Sequence, residues 1–277
     1  MVCQEAFPNL EELRLTLKGI VEIWRGQFSR VSFSKLRVLN ITKCHGILVV
    51  ISSNMVQILH NLERLEVTKC DSVNEVIQVE RLSSEEFHVD TLPRLTEIHL
   101  EDLPMLMHLF GLSPYLQSVE TLEMVNCRSL INLVTPSMAK RLVQLKTLII
   151  KECHMMKEIV ANEGDEPPND EIDFARLTRL ELDCLPNLKS FCSARYAFRF
   201  PSLEEISVAA CPKMKFFCKG VLDTPRLKCV QMGDHSEVLD TPRLQCVQMG
   251  DLFFEQCWEG DLNTTIHKMF MVQVRME

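Results

Sequence analysis

LRVLNITKC, Leu36 to Cys44, is the stretch on which the fold turns. Aliphatic residues stand at its first, fourth and sixth places and a cysteine at its ninth. Leu39 and Ile41 alternate with Asn40 and Thr42, the two-residue period of a strand with one buried face. The spacing returns at Leu10-Leu13-Leu15, Leu62-Leu65-Val67, Leu95-Ile98-Leu100, Val119-Leu122-Met124 and Leu145-Leu148-Ile150. It continues at Leu177-Leu180-Leu182, Leu203-Ile206-Val208, Leu227-Val230-Met232 and Leu244-Val247-Met249. Successive copies begin 26, 26, 33, 24, 26, 32, 26, 24 and 17 residues apart.

A phrase of this kind repeated at such intervals is the pattern of a leucine-rich repeat. One copy cannot bury its aliphatic face alone, so neighbours must stack and supply the burial. The predicted fold is an α/β leucine-rich-repeat solenoid of about ten repeats. Its concave side is a curved parallel sheet, and its convex side carries loops and short helices. One solenoid is expected over 1–266, with acidic insertions at 78–91 and 160–173, a duplicated short repeat at 222–251, and a cap and tail at 252–277. A longer period overlies the short one. The two long units begin at Leu62 and Leu145, and the units after them carry LPMLMHLF and LPNLKSFC, as if three units had been copied as a block.

Twelve cysteines in a chain without a secretory signal point to reduced thiols rather than disulfides. Cys44, Cys70, Cys127, Cys153 and Cys211 each follow the first aliphatic of their unit by eight residues, and Leu103 and Leu185 fill the same place elsewhere. A place shared by Cys and Leu is a small buried apolar site. Apolar residues return three and six places later, as in Val73 and Val76, or Met214 and Phe217. These are expected to line the return leg of each coil.

The string LDTPRLKCVQMGD, Leu222 to Asp234, recurs 17 residues later as LDTPRLQCVQMGD, Leu239 to Asp251. That step is shorter than a normal repeat. Two thin coils are expected, because both copies keep the inward apolar pattern; the alternative is one paired strand and one looped-out copy.

The net charge of −8 is not evenly spread: the first insertion carries −3 and the second −6, leaving the remainder near +1. Glu163, Asp165, Glu166, Asp170, Glu171 and Asp173 form a candidate acidic docking loop for a basic partner. Net acidity without a basic stretch argues against nucleic acid. No apolar run is long enough to span a membrane. No phosphate-binding loop, C-x-x-C or H-E-x-x-H is present, so no catalytic residue, metal, cofactor or small-molecule ligand is expected. The sequons at Asn40-Ile41-Thr42 and Asn263-Thr264-Thr265 read as chance matches.

Within each strand phrase the third, fifth and seventh residues face outward from the concave sheet. Arg64, Glu66, Glu97, His99, Glu123, Lys151, Arg179 and Glu181 are the candidate contacts there.

The segments FPNLEELRL, IVEIWRGQF, FSKLRVLNITKC and CWEGDLNTTI resemble the C-terminal leucine-rich region of plant coiled-coil nucleotide-binding leucine-rich-repeat disease-resistance proteins. The resemblance covers Phe7 to Ile266. It implies a cytoplasmic, non-enzymatic module that recognises a pathogen effector or a guarded host protein. Such a module also restrains a nucleotide-binding domain, which this stretch of sequence does not contain. An apparently uncapped first coil fits a part of a larger receptor. The alternative is the substrate-recognition repeats of a ubiquitin-ligase adaptor. Those usually carry a G-L-x-x-L-A helix between cysteines and follow an F-box, and neither is found here.

Overall fold

The computed structural model describes residues 7–78, 92–110, 117–162, 170–233, 246–249 and 261–276. The chain divides into two compact units, residues 1–130 and 131–277.

In the first unit, β1 (Glu12–Leu15), β2 (Val38–Thr42), β3 (Arg64–Thr68), β4 (Glu97–Glu101) and β5 (Thr121–Val125) form a parallel ladder in that order. Equivalent places of successive phrases stand side by side. Arg14, Asn40, Glu66, His99 and Glu123 make one row. A second parallel sheet joins Val49–Ile51, Glu75–Ile77 and His108–Phe110. The second unit repeats the plan. Its ladder is β6 (Thr147–Lys151), β7 (Arg179–Asp183), β8 (Glu205–Ala209), β9 (Cys229–Gly233) and β10 (Cys246–Met249). Opposite lie the pair Asn132–Val134 and Glu158–Val160, and the three strands Glu171–Asp173, Ala197–Arg199 and Leu222–Asp223.

All ten phrases are therefore strands with parallel neighbours, and the fold is a leucine-rich-repeat solenoid. Two details differ from expectation. Return legs are mostly short strands, with four-residue helices at Ser53–Val56 and Pro136–Ala139 among the described residues. A leg of a few residues between turns is far below the length at which a helix stabilises itself. The expected ten repeats reduce to about seven complete coils, those of β2 to β8. Each of these carries a non-glycine residue with φ between 48° and 57° directly after its strand: Lys43, Lys69, Asp102, Asn126, Glu152, Cys184 and Ala210. At the other end, Cys229 pairs with Cys246 and Met232 with Met249, so both copies of the duplicate add a strand. Seventeen residues from one copy to the next leave no room for an ordinary return leg.

The left-handed residue has a physical reason. It bends the chain off the ladder while its amide still bonds the next coil: Lys43 N–H to Thr68 O at 2.9 Å, Lys69 to Glu101 at 2.9 Å, Glu152 to Asp183 at 3.0 Å, Cys184 to Ala209 at 3.0 Å. Left-handed backbone costs a side-chain-bearing residue ~1 kcal/mol, which the ladder bond offsets.

The next residue is the shared Cys/Leu place. Cys44, Cys70, Cys127 and Cys153 are buried, as are Leu103 and Leu185, while Cys211 is partly covered. The thiols also act as backbone partners. Leu17 N–H donates to Cys44 Sγ at 3.1 Å and Cys44 N–H to Cys70 Sγ at 3.4 Å, while the Cys70 thiol donates to Thr68 O at 3.3 Å. Burial is the main force pushing the Cys70 thiol up to about 11 and the Cys211 thiol up to about 12.

Between the layers of the second unit runs a column of buried phenylalanines that the repeat pattern only half announced. Phe191 and Phe217 stand six places after the shared Cys/Leu place, on return legs; Phe174, Phe198 and Phe200 join them. Phe191 stacks on Phe217 at 4.6 Å and Phe174 on Phe200 at 5.2 Å, and Phe174 meets Phe191 edge-on at 6.0 Å. Such pairs add ~1 kcal/mol beyond their burial.

The IWRGQF phrase has a packing explanation. Trp24 is buried against Phe28 and Phe33, with Phe7 on Phe33, and its indole N–H donates to Val50 O at 2.7 Å. The DLNTTI phrase starts the helix Leu262–Met276. Asp261 accepts from Thr264 N–H at 2.9 Å, an N-terminal cap, and Leu262 and Ile266 are buried. Asn263 Oδ1 accepts from both Phe217 N–H at 3.0 Å and Cys218 N–H at 2.8 Å. That sequon asparagine is thus a structural residue.

Two outcomes are expected. Asn263→Ala lowers the free energy of unfolding by ~1–3 kcal/mol in chemical denaturation, because two amides lose their acceptor; Asn263→Asp, which keeps the oxygen, recovers more than half. Iodoacetamide at pH 8 leaves Cys70 unlabelled in the folded protein and labels it in denaturant, as peptide mass mapping reads out.

Candidate functional site

The ladder's outward row is built by the strand period. With the second and third aliphatics of each phrase turned inward, places three, five and seven are left half-exposed. Thr68 and Asp183 depart from this, being buried at the strand ends. The eight candidate residues fall into two groups, one per unit.

In the first unit, Arg64 Nε lies 2.5 Å from Glu97 Oε2, joining adjacent coils. Asn40 donates to Glu66 at 2.8 Å, and Thr42 bonds Asn40 at 2.8 Å and Thr68 at 3.0 Å. His99 stands between Glu123 at 3.2 Å and Glu101 at 3.7 Å. Arg64, Glu66, Glu97, His99 and Glu123 thus form one polar ribbon across three strands, with carboxylates in excess.

In the second unit, Glu181 receives Lys151 at 2.7 Å and Arg179 at 2.9 Å. Its side chain is only 14% exposed. Burial acts to raise the Glu181 carboxyl, but the hydrogen bonds from Lys151 and then Arg179 outweigh it and hold the group below the ordinary carboxylate range.

The acidic insertion divides into unlike parts. Glu163, Asp165 and Glu166 lie outside the described residues. Asp170 pairs with Lys140, and Glu171–Asp173 is a strand paired with Ala197–Arg199, its Ile172 buried. Arg199 reaches Glu171 at 3.2 Å and Asp223 at 3.7 Å. Three of the six candidate acids are therefore tied into a sheet edge and partly neutralised there. The alternation Glu-Ile-Asp was the available signal for a strand. Of the first insertion, residues 79–91 lie outside the described residues.

An open groove of ≈ 470 Å³, unmarked by any motif in the sequence, lies at the ends of β2 to β5, lined by Lys43, His45, Lys69, Asp71, Asp102 and Arg128 among others. Its charges interleave: His45 meets Asp71 at 2.6 Å, and Asn126 bridges Asp102 at 2.5 Å and Arg128 at 2.7 Å. Among the described residues, no group of three or more His, Cys, Asp or Glu is placed to hold a metal ion. No described helix is long and apolar enough to cross a membrane.

The ladder face offers charges and amides held in pairs across adjacent coils.

Comparison with known proteins agrees with the architecture. A family model described as the leucine-rich repeats of RPS2-like plant disease resistance proteins matches residues 9–154 and 145–218. A probable disease resistance protein of Arabidopsis thaliana is 32% identical over 133 residues, 47% of this chain and 14% of that protein.

Glu181 gives a pH-dependent expectation. Its lowered pKa means stability that is present above the unfolded-state value, near 4.5, and lost as pH falls through the folded value. Glu181→Gln lowers stability at pH 7 by ~1 kcal/mol. The gap to the native chain closes as denaturation is repeated below pH 4.5.

Proposed function

Because this chain belongs to the leucine-rich-repeat family of plant disease resistance proteins, we propose that it is the protein-recognition and regulatory module of an intracellular immune receptor. It senses a pathogen effector or a guarded host protein. It also helps restrain a nucleotide-binding domain supplied elsewhere in the receptor. It acts in the cytoplasm and without catalysis.

One observation carries the reading: the mixed-sign ribbon on the ladder of each unit. Charge pairs such as Arg64–Glu97 are half exposed, so each contributes only ~0–1 kcal/mol to folding. Their value lies in electrostatic complementarity, which sets partner choice and association rate more than raw affinity. Two further features support the reading. The buried thiols with raised pKa suit a reducing compartment. With Asp170 paired to Lys140, Glu171 to Arg199, and Asp173 on the same strand, Glu163, Asp165 and Glu166 remain as the acids for docking a basic partner.

A charge swap tests the ribbon. Arg64→Glu combined with Glu97→Arg keeps an ion pair and reverses its polarity, so the melting temperature stays within ~2 °C of the native value. Co-precipitation of a co-expressed nucleotide-binding domain from the same receptor family is expected to weaken with the swap. It is also expected to weaken with Glu163→Gln, Asp165→Asn and Glu166→Gln together. Full capture by both variants would overturn the proposed contacts, and no capture by the native chain would overturn the regulatory role.

A further inference from the structure

Three aligned tetrapeptides of the second unit end in lysine: HMMK (His154 to Lys157), PNLK (Pro186 to Lys189) and PKMK (Pro212 to Lys215). They occupy the same place on three successive coils, because the backbone binds them together. Lys189 N–H donates to Lys157 O at 2.9 Å and Lys215 N–H to Lys189 O at 3.1 Å. The third residue of each tetrapeptide, Met156, Leu188 and Met214, is buried and pins the strip to the core. Lys157, Lys189, Lys213 and Lys215 are exposed. Lys213 is held by Asn187 Oδ1 at 2.6 Å, and Asn187 in turn donates to His154 O at 2.8 Å.

The strip contains four lysines and no carboxylate; Glu152 and Glu158 flank it on the coil of Lys157. Other lysines of this unit hold acids: Lys140 pairs with Asp170, Lys151 with Glu181 and Lys228 with Glu204. Lys157 and Lys189 have no ion pair among the described residues. Laddered backbones lie ~4.8 Å apart, so like charges are stacked well inside one Debye length. In a chain of net charge −8 this is a local reversal of sign.

We propose that this lysine strip is a docking surface for an extended acidic segment of a protein partner, distinct from the ladder face. Alternate residues of an extended chain are ~6.6 Å apart, within reach of flexible ammonium groups set one or two to a coil. The half-exposed Pro186 and the exposed Pro212 and Met155 add apolar surface to the strip for a peptide backbone. The strip itself holds no Phe, Tyr or Trp on which bases could stack, and the acidic chain as a whole repels polyphosphate. The inference deepens the protein-recognition reading and rests on it.

Fluorescence anisotropy of a labelled twelve-residue peptide of alternating Glu and Ser, titrated with the full chain at low salt, tests it. The variant Lys157→Glu, Lys189→Glu and Lys213→Glu is expected to bind at least about tenfold more weakly. A control with the same charge change, Lys18→Glu, Lys35→Glu and Arg94→Glu, is expected to lose less than about threefold. Circular dichroism checks that both fold. Equal losses in the two variants would mean bulk charge alone, and would overturn the site. So would tighter binding of the native chain to anionic phospholipid vesicles or to single-stranded DNA than to the peptide. Failure here, with the ladder-face swap still weakening co-precipitation, would remove this surface and leave the proposed function standing.

Discussion

A single copy of the repeat phrase can satisfy neither its apolar side chains nor its backbone, and this constraint governs everything else. Leu39 and Ile41 are fully buried only because equivalent residues lie on the coils at either side. The backbone solves its half of the problem at the turn. The amide of each left-handed residue reaches the carbonyl at the end of the next strand, as Lys43 does to Thr68. A thiol one residue later accepts or donates a further bond, as Cys44 and Cys70 do. Strand, turn residue and cysteine form one device, repeated along each unit.

Because folding uses the inward places and the turn, the outward places are free to vary. That freedom makes the ladder face and the lysine strip suitable for recognition. The same logic explains why the acids of the second insertion behave differently from one another. Those that entered a strand, Glu171 and Asp173, came under the demands of the outer sheet and the charge of Arg199. The phenylalanine column runs over three successive coils, from Phe174 through Phe191 and Phe200 to Phe217.

The two most distinctive phrases of the chain are also structural. IWRGQF builds the aromatic cluster around Trp24, and DLNTTI places Asn263 on the amides of Phe217 and Cys218. Trp24 satisfies the Val50 carbonyl, and Asn263 satisfies two backbone amides that would otherwise lack an acceptor.

The solenoid, the inward residues and the shared Cys/Leu place were legible in the repeat phrase. Those follow from a short-range period that survives any detail of packing, and a period of two is visible wherever Leu, Ile and Val mark it. It also marked which residues would face outward. How those residues pair depends on the stacking of the coils. Arg64 finds Glu97 and Lys151 finds Glu181 on the next coil, 33 and 30 residues along the chain, so no local window could join them. Stacking likewise settles that seven coils close rather than ten, and that Lys157, Lys189 and Lys215 align. Coil lengths of 32 and 26 residues hide that alignment in the sequence, and the backbone ladder restores it.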